Sequence, residues 1–276
     1  NFPNQVLFGD THLHTSYSTD AGMVGAILGP EEAYRFARGE QITSNHGLPA
    51  QLKRPLDFLV IADHAENLGL APLIKVSDPS VLSNEWGKMV HDLVKSGKST
   101  RAFNEWIAKM QALDDPFAGN TKMAETAWRD ITAAAEKYNV RRFVQLSSIV
   151  AYGNSAAGEL CEDHPVHADG GSYVLTKLAS EHAVLAAHAK GNIEIVIIRP
   201  GDVYGPGSRP WLILPLEAIL KGQFMLPEKG EGFFRPTYID DLIRGIALAV
   251  AAPAANGEIF NLSCQGYMSS KDFFSH

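Results

Sequence analysis

The sequence YVLTKLASEHAVLAAHAK (residues 173–190) decides the fold class, together with the run IEIVIIRPG (193–201) that follows it. In the first stretch, apolar residues recur at the spacing of an amphipathic helix, and Gly191 ends that helix. The second stretch is a short, continuous apolar run, which is typical of a strand buried on both faces. RRFVQLSS (141–148) predicts another strand before the helix. The alternation of strands and helices indicates an α/β fold.

Outside these stretches the chain continues in the same way. QVLFGDTHLHT (5–15) predicts a strand, and PEEAYRFARG (30–39) predicts a helix with Pro at its start and Gly at its end. DFLVIADH (57–64) has the composition of a short buried strand. The remaining predicted elements are helices at 80–112, 124–138, 211–222 and 238–252 and a strand at 257–263.

Charge and composition exclude several classes of protein. A formal net charge of −7 argues against nucleic acid or an anionic membrane surface as the main partner, and a small-molecule substrate is expected instead. No apolar run approaches the roughly 20 residues that span a bilayer, so the sequence predicts a soluble chain. Cys161 and Cys264 lack CxxC spacing, and we expect them to be reduced thiols, which favours a cytoplasmic location. The sequence does not indicate the oligomeric state.

Tyr173 and Lys177 lie one helical turn apart and therefore on the same face of the predicted helix. A phenol has a pKa of about 10, and an ammonium group nearby favours the phenolate. Ser148, at the end of the preceding strand, can hold a substrate oxygen atom. This arrangement predicts proton removal from a substrate alcohol by Tyr173 while hydride leaves for a nicotinamide. The alternative is an ordinary surface pair, because Tyr and Lys often fall four residues apart.

Four motifs follow one another along the chain: FVQLSSIVAYG (143–153), YVLTK (173–177), IIRPGDVYGPG (197–207) and FRPTYIDDLIRGI (234–246). This succession resembles the extended short-chain dehydrogenase/reductase family, of the NAD-dependent epimerase/dehydratase type, over residues 140–272. The resemblance implies a Rossmann-like doubly wound sheet, NAD or NADP as cofactor, and a sugar nucleotide or another secondary alcohol as substrate. It implies catalytic roles for Ser148, Tyr173 and Lys177, and cofactor contacts for Tyr173, Lys177, Pro200 and Val203.

One part of that family's pattern is missing. The family begins with a strand and a GxxGxxG turn, where the pyrophosphate lies at the N-terminus of a helix. The nearest candidates are Gly22, Gly25 and Gly29, but their spacing is one residue too long and they follow HTSYSTDA rather than an apolar strand. We interpret them as a loop. The dinucleotide site is therefore expected to be incomplete, and the chain is expected to be inactive as an oxidoreductase.

GDTHLHT places Asp10, His12 and His14 at alternate positions, so that a strand would project all three to one face. Two imidazoles and a carboxylate on one face suit a divalent metal such as zinc or manganese. His64 ends a second apolar strand and would complete a shared site if the strands lie side by side, and Asp20 is a further candidate ligand. The alternative is that the HxH is incidental, as short motifs often are.

The N-terminal half resembles the PHP (polymerase and histidinol phosphatase) superfamily over residues 3–139, and most closely a PHP-like group of uncharacterised proteins. The resemblance rests on GDTHLHTSYSTDA, PEEAYRFARG, LDFLVIADHAE and the AWRDITAAAEKYN helix. It implies the opening βα units of a distorted barrel that binds metal ions and hydrolyses phosphoesters, with the metal activating a water molecule. The later ligands of that pattern, including a closing DxH, are absent after His64.

The two resemblances meet at residues 138–142, where each pattern stops before it is complete. We therefore predict a partial PHP-like metal-binding segment at 1–139 and a partial short-chain dehydrogenase/reductase segment at 140–276. The predicted fold class is α/β, with the C-terminal part of a Rossmann-like doubly wound sheet joined to the opening of a PHP-like distorted barrel. Because natural two-domain enzymes join complete domains through a linker, we interpret the chain as a chimera. The dehydrogenase identity ranks first, and a metal-dependent hydrolase fragment is the alternative.

Overall fold

The chain forms two compact units, each built from two segments of sequence. A computed structural model describes residues 6–112, 114–153, 158–169, 171–264, 266 and 268–275. The N-terminal unit comprises Asn1–Arg141 and Ala168–Ile193, and the C-terminal unit comprises Arg142–His167 and Glu194–His276. Within the described ranges, none of the helices combines the length and the apolar character that crossing a membrane requires.

Helices form most of the N-terminal unit. They are α1 (Thr19–Met23), α2 (Pro30–Ala37), α3 (Leu70–Lys75), α4 (Pro79–Leu82), α5 (Glu85–Lys95), α6 (Ser99–Gln111), α7 (Thr121–Lys137) and α8 (Gly171–Ala189). Asn84 starts α5 by accepting a hydrogen bond from the N–H of Gly87, the usual role of an N-cap residue. α7 packs against both α2 and α8. The amphipathic helix predicted at 173–190 is therefore confirmed as α8, and it belongs to the N-terminal unit.

The core of the N-terminal unit lies between α1, α3, α5 and α6. Met23, Leu70 and Val90 are almost completely removed from solvent, and Trp106 of α6 is 3% exposed. Burial of an apolar side chain of this size stabilises a fold by about 1.5–3 kcal/mol. This core fixes α6, whose Trp106 also contacts the candidate site.

Two short parallel strands position the polar residues of the N-terminal unit. β1 (Gly9–Leu13) pairs with β4 (Phe58–Ile61), with Asp10 opposite Leu59. The hairpin strands β2 (Ile42–Thr43) and β3 (Pro49–Ala50) form a separate antiparallel pair. Because β1 and β4 run in the same direction, the loops that follow them emerge at the same edge.

The strand predicted within residues 57–64 is present as β4, but the prediction that this strand is buried is wrong. Phe58 and Val60 are 39% and 40% exposed. In the described part of the chain, β4 pairs with β1 alone, so alternate side chains of β4 face away from the interior. The described strands of this unit form two separate two-stranded sheets and do not close into a barrel.

The C-terminal unit contains a parallel sheet in which β6 lies between β10 and β5. Shorter pairs join β7 with β9 and β11 with β8. The strands are β5 (Arg142–Leu146), β6 (Glu194–Pro200), β7 (Asp202–Tyr204), β8 (Phe233–Phe234), β9 (Pro236–Tyr238), β10 (Ile259–Leu262) and β11 (Met268–Ser269). The helices are α9 (Leu214–Leu220), α10 (Ile239–Ala251) and α11 (Ser270–Phe274).

The buried strand predicted at 193–201 is confirmed as β6. Its residues Ile195 to Ile198 have almost no exposed surface. Helix α10 covers one face of this strand, with Leu242 and Ala249 packed in the same apolar cluster as Val196 and Ile198. The carboxyl ends of β5 and β6 therefore lie at one edge of a well-buried parallel sheet.

Candidate functional site

Side chains from two loops meet beyond the ends of β1 and β4. His14 Nδ1 lies 3.2 Å from Asp20 Oδ1, and His64 Nε2 lies 3.4 Å from Asp20 Oδ2. His12 Nε2 lies 3.0 Å from His14 Nε2. His14, Asp20 and His64 each offer one ligand atom within 4.8 Å of the others, whereas His12 lies beside the Nε2 atom of His14. We call His12, His14, Asp20 and His64 the histidine cluster.

Asp63 and Ser18 hold the two loops together. The Asp63 carboxylate, beyond β4, accepts a hydrogen bond of 2.6 Å from the Thr15 hydroxyl, beyond β1, and another from the Thr15 N–H. Ser18 Oγ donates to Asp20 Oδ1 at 2.6 Å and accepts from the His64 N–H at 3.0 Å. Ser18 is completely buried. These internal polar contacts satisfy groups that burial would otherwise leave unpaired, and they fix the loops.

Hydrogen bonds shift the pKa values of Asp20 and His64 within the histidine cluster. Burial alone would raise the pKa of Asp20, but hydrogen bonds from Ser18 and His14 outweigh it and lower that pKa. The contact with Glu66 raises the pKa of His64, against the effect of burial, and Asp20 adds to the rise. Asp20 therefore stays ionised between the imidazoles, while the raised pKa of His64 favours its protonated form, and a metal ion that binds His64 must displace that proton.

Asp10 does not join the histidine cluster. The register of β1 against β4 is irregular between Asp10 and Leu13, so the alternation expected for Asp10, His12 and His14 is interrupted. Asp10 Oδ1 instead accepts a hydrogen bond of 2.8 Å from the His12 N–H. The structure brings three predicted metal ligands together, His14, Asp20 and His64, and places His12 beside His14. Asp10 is directed to the backbone instead.

The sequence patterns did not indicate Thr15, Ser18 and Glu66. Ser18 and Glu66 contact members of the histidine cluster, and Thr15 binds Asp63 next to His64. Ser18 offered a weak signal, since Ser before Thr19 and Asp20 is typical of a helix N-cap. In the structure Ser18 does precede α1, yet its hydroxyl makes no capping hydrogen bond. The hydroxyl instead donates to Asp20 and accepts from the His64 N–H.

Tyr173 and Lys177 lie on α8, in the N-terminal unit. Lys177 Nζ is 5.5 Å from the centre of the Tyr173 ring, within the range of a cation–π contact. Tyr173 is 38% exposed. Lys177 as a whole is partly buried, and its ammonium group is enclosed by the protein. Burial lowers the pKa of Lys177, and the nearby carboxylates of Glu66 and Glu181 oppose this effect.

Replacing Lys177 by methionine is expected to remove a pH-dependent part of the stability. The pKa of Lys177 is lowered in the folded chain, while a lysine in an unfolded chain titrates at about 10.4. Between these two pKa values the unfolded state binds more protons than the folded state, so the free energy of unfolding of the wild type rises with pH. Lys177→Met has no such group and should lack this rise. The measurement is the urea midpoint of both proteins from about pH 7 to about pH 10.5. Parallel pH profiles would contradict the expectation.

The other predicted dehydrogenase residues lie in the C-terminal unit. Ser148 follows β5 and starts a short 3₁₀ turn, where its Oγ accepts a hydrogen bond of 3.3 Å from the Val150 N–H. Pro200 is the last residue of β6, and Val203 lies in β7 and packs against the core of the unit. Ser148 and Pro200 are thus at the carboxyl ends of neighbouring parallel strands, the edge at which open α/β sheets bind ligands.

The N-terminal glycines do not form a cradle for a pyrophosphate. Gly22 lies inside α1 rather than directly after a strand. Gly29 precedes α2, and its N–H donates to the Glu32 carboxylate at 2.9 Å. Glu31 lies in the same first turn, so this helix N-terminus carries two carboxylates that repel an anionic phosphate. Gly22, Gly29 and the first turn of α2 therefore do not fit the pyrophosphate of NAD.

Two family models match the chain. The model of the NAD dependent epimerase/dehydratase family matches residues 113–263. The model described as "Protein of unknown function (DUF3604)" matches residues 1–167. Each match covers more than half of the chain. The chain belongs to both families.

Individual relatives agree with the epimerase/dehydratase match. The chain is 31% identical over 133 residues to a dTDP-glucose 4,6-dehydratase from an Actinoplanes species, covering 47% of this chain and 41% of the relative. It is 28% identical over 142 residues to a dTDP-glucose 4,6-dehydratase from Streptomyces griseus, covering 50% and 43%. The structure of a UDP-glucuronic acid 4-epimerase from Bacillus cereus, solved with NAD, matches with a TM-score of 0.51 and 26% identity, covering 57% of this chain and 53% of that one. The chain thus spans less than half the length of these two curated relatives.

These comparisons confirm the epimerase/dehydratase resemblance and the Rossmann-like character of the matched part. The two family matches overlap over residues 113–167, a stretch that contains α7 and β5. The sequence predicted a change of family at 138–142 and did not indicate the family of unknown function. α7 is therefore common to both family matches.

Proposed function

We propose that residues 140–276 are the substrate-side part of an NAD(P)-dependent oxidoreductase, epimerase or dehydratase that acts on a sugar nucleotide or another secondary alcohol. The pairing of Tyr173 with Lys177, within a segment that matches the epimerase/dehydratase family, supports this proposal. Tyr173 accepts the proton of a substrate hydroxyl, and Lys177 beside it favours the phenolate. Ser148 keeps the role of the hydroxyl that holds the substrate oxygen.

We further propose that residues 1–276 alone do not complete the dinucleotide site and show no turnover as an oxidoreductase. Pro200 and Val203 are proposed to contact the nicotinamide end of a bound cofactor. Gly29 leaves no cradle for the pyrophosphate, because the Glu32 carboxylate already accepts its N–H. In this proposal residues 1–139 and 140–276 are partial segments of different origin.

The thermal unfolding temperature of the purified chain is expected not to change when NAD⁺ or NADP⁺ is added. A cofactor present at about 100 times its Kd would stabilise the native state by about 2.7 kcal/mol. The measurement is a thermal unfolding curve at increasing cofactor concentration. An upward shift that disappears in Lys177→Ala would contradict the incomplete dinucleotide site and would indicate that the chain supplies the missing contacts elsewhere.

A second candidate function is metal-dependent hydrolysis, and the geometry of the histidine cluster favours it. His14, Asp20 and His64 offer ligand atoms that all lie within 4.8 Å of one another, and His12 lies beside them. We propose that His14, Asp20 and His64 hold a divalent ion such as zinc or manganese, with His12 as a further candidate ligand beside them. A bound ion of this kind supplies a Lewis acid and lowers the pKa of a water molecule. The expected substrate is a phosphoester.

Accessibility supports this second proposal. The His64 side chain is 45% exposed, and those of His14 and Asp20 are partly exposed. Water and a small substrate can therefore reach the ligand atoms. Asp20 lies between His14 and His64 and keeps a negative charge there, which offsets part of the charge of a divalent ion.

A further inference from the structure

Glu66 lies beside the ring nitrogen of His64 that is not directed at Asp20. His64 Nε2 is 3.4 Å from Asp20 Oδ2, while His64 Nδ1 is 3.7 Å from Glu66 Oε2. An imidazole that binds a metal through one nitrogen commonly directs its other N–H to a carboxylate, which fixes the ring and makes it a better ligand. The two contacts of His64 follow this arrangement.

The backbone at Glu66 is held in place by buried contacts. The hydroxyl of Thr19, which is completely buried, lies 3.1 Å from the carbonyl oxygen of Glu66 and 2.9 Å from that of Asn67. Asn67 has a φ of 54°, in the left-handed region that residues other than glycine adopt uncommonly. Its side chain accepts a hydrogen bond from Trp106 Nε1 at 3.1 Å and donates one to Asp115 at 2.9 Å. Such a conformation persists only where the surrounding structure imposes it.

We propose that Glu66 is a positioning residue that orients His64 as a ligand of the histidine cluster. This inference rests on the metal-binding function proposed above.

The test is a titration of the full chain with Co²⁺, followed by the visible absorption of the bound ion. Glu66→Gln keeps the shape of the side chain and removes its charge. We expect Co²⁺ to bind this variant about 10- to 100-fold more weakly, as for other losses of a carboxylate behind a ligand histidine. At saturation the absorption spectrum should match that of the wild type, because the ligand atoms are the same. Glu85→Gln is the matched control, because Glu85 is an exposed carboxylate in the first turn of α5 and is not part of the histidine cluster, and it should bind Co²⁺ as the wild type does.

Each other outcome overturns a defined part of the proposal. If Glu66→Gln binds Co²⁺ as tightly as the wild type, Glu66 does not position His64. If the spectrum at saturation changes, Glu66 is itself a ligand rather than a positioning residue. If the wild type binds no Co²⁺, the metal-binding function fails, and the inference fails with it. Should Glu66→Gln not fold, Glu66→Asp keeps the charge at a shorter reach, and affinity equal to the wild type would again overturn the proposal.

Discussion

The wild-type chain is expected to unfold at a higher temperature when Zn²⁺ is added, and His14→Ala is expected to remove most of that rise. His14 contacts two other members of the histidine cluster, Asp20 at 3.2 Å and His12 at 3.0 Å. An ion present at about 100 times its Kd stabilises the native state by about 2.7 kcal/mol. If the variant binds about 100-fold more weakly, only about 0.4 kcal/mol remains at the same concentration.

His46→Ala provides the matched control for this experiment. His46 is exposed, lies in the turn between β2 and β3, and is not part of the histidine cluster. Its variant should keep the full response to Zn²⁺, as measured by thermal unfolding and by metal content after dialysis. The metal-binding proposal fails if the wild type is indifferent to Zn²⁺. It also fails if His46→Ala loses as much of the response as His14→Ala.

Trp106→Ala is expected to lower the free energy of unfolding by about 3–5 kcal/mol. Trp106 is 3% exposed and packs in the core of the N-terminal unit. Its ring centre also lies 5.8 Å from that of His64, and its Nε1 donates to Asn67 Oδ1. Removing the indole therefore leaves a cavity, an unpaired buried oxygen and a less constrained His64. Urea unfolding followed by circular dichroism measures the loss.

Trp106→Phe separates these effects. Phenylalanine keeps an aromatic ring in the core but cannot donate to Asn67, so the expected cost is that of one unsatisfied buried acceptor, about 1–3 kcal/mol. The phenylalanine variant should also keep more of its response to Zn²⁺ than the alanine variant. Equal losses of stability in the two variants would show that the core tolerates the cavity and that the hydrogen bond to Asn67 accounts for the whole effect.

Periodicity and composition predicted most of the helices and strands but not their surroundings. The helix at 173–190 and the strand at 193–201 were recognisable because each has one consistent apolar pattern. The strand around Phe58 has an apolar pattern as well, yet β4 is half exposed. The number of neighbouring strands and helices decides burial, and a local pattern does not contain that number.

The sequence indicated the histidines of the candidate site but not the contacts that hold them in place. His12, His14 and His64 are chemically distinctive residues at strand ends, so the sequence indicated them directly. The departure of Asp10 depends on an irregular strand register, which no pattern of residue types marks. The position of Glu66 depends on contacts with Thr19, far away in the sequence, and these exist only in the folded chain.

The division of the chain has a practical consequence for anyone who wants to produce one half alone. The backbone passes from one unit to the other after Arg141, after His167 and after Ile193. A gene shortened to residues 1–139 would encode α7 without α8, the helix against which α7 packs, and would leave an uncovered apolar surface prone to aggregation. An expression clone of the N-terminal unit must therefore carry residues 168–193 as well, fused through a new linker or supplied by circular permutation.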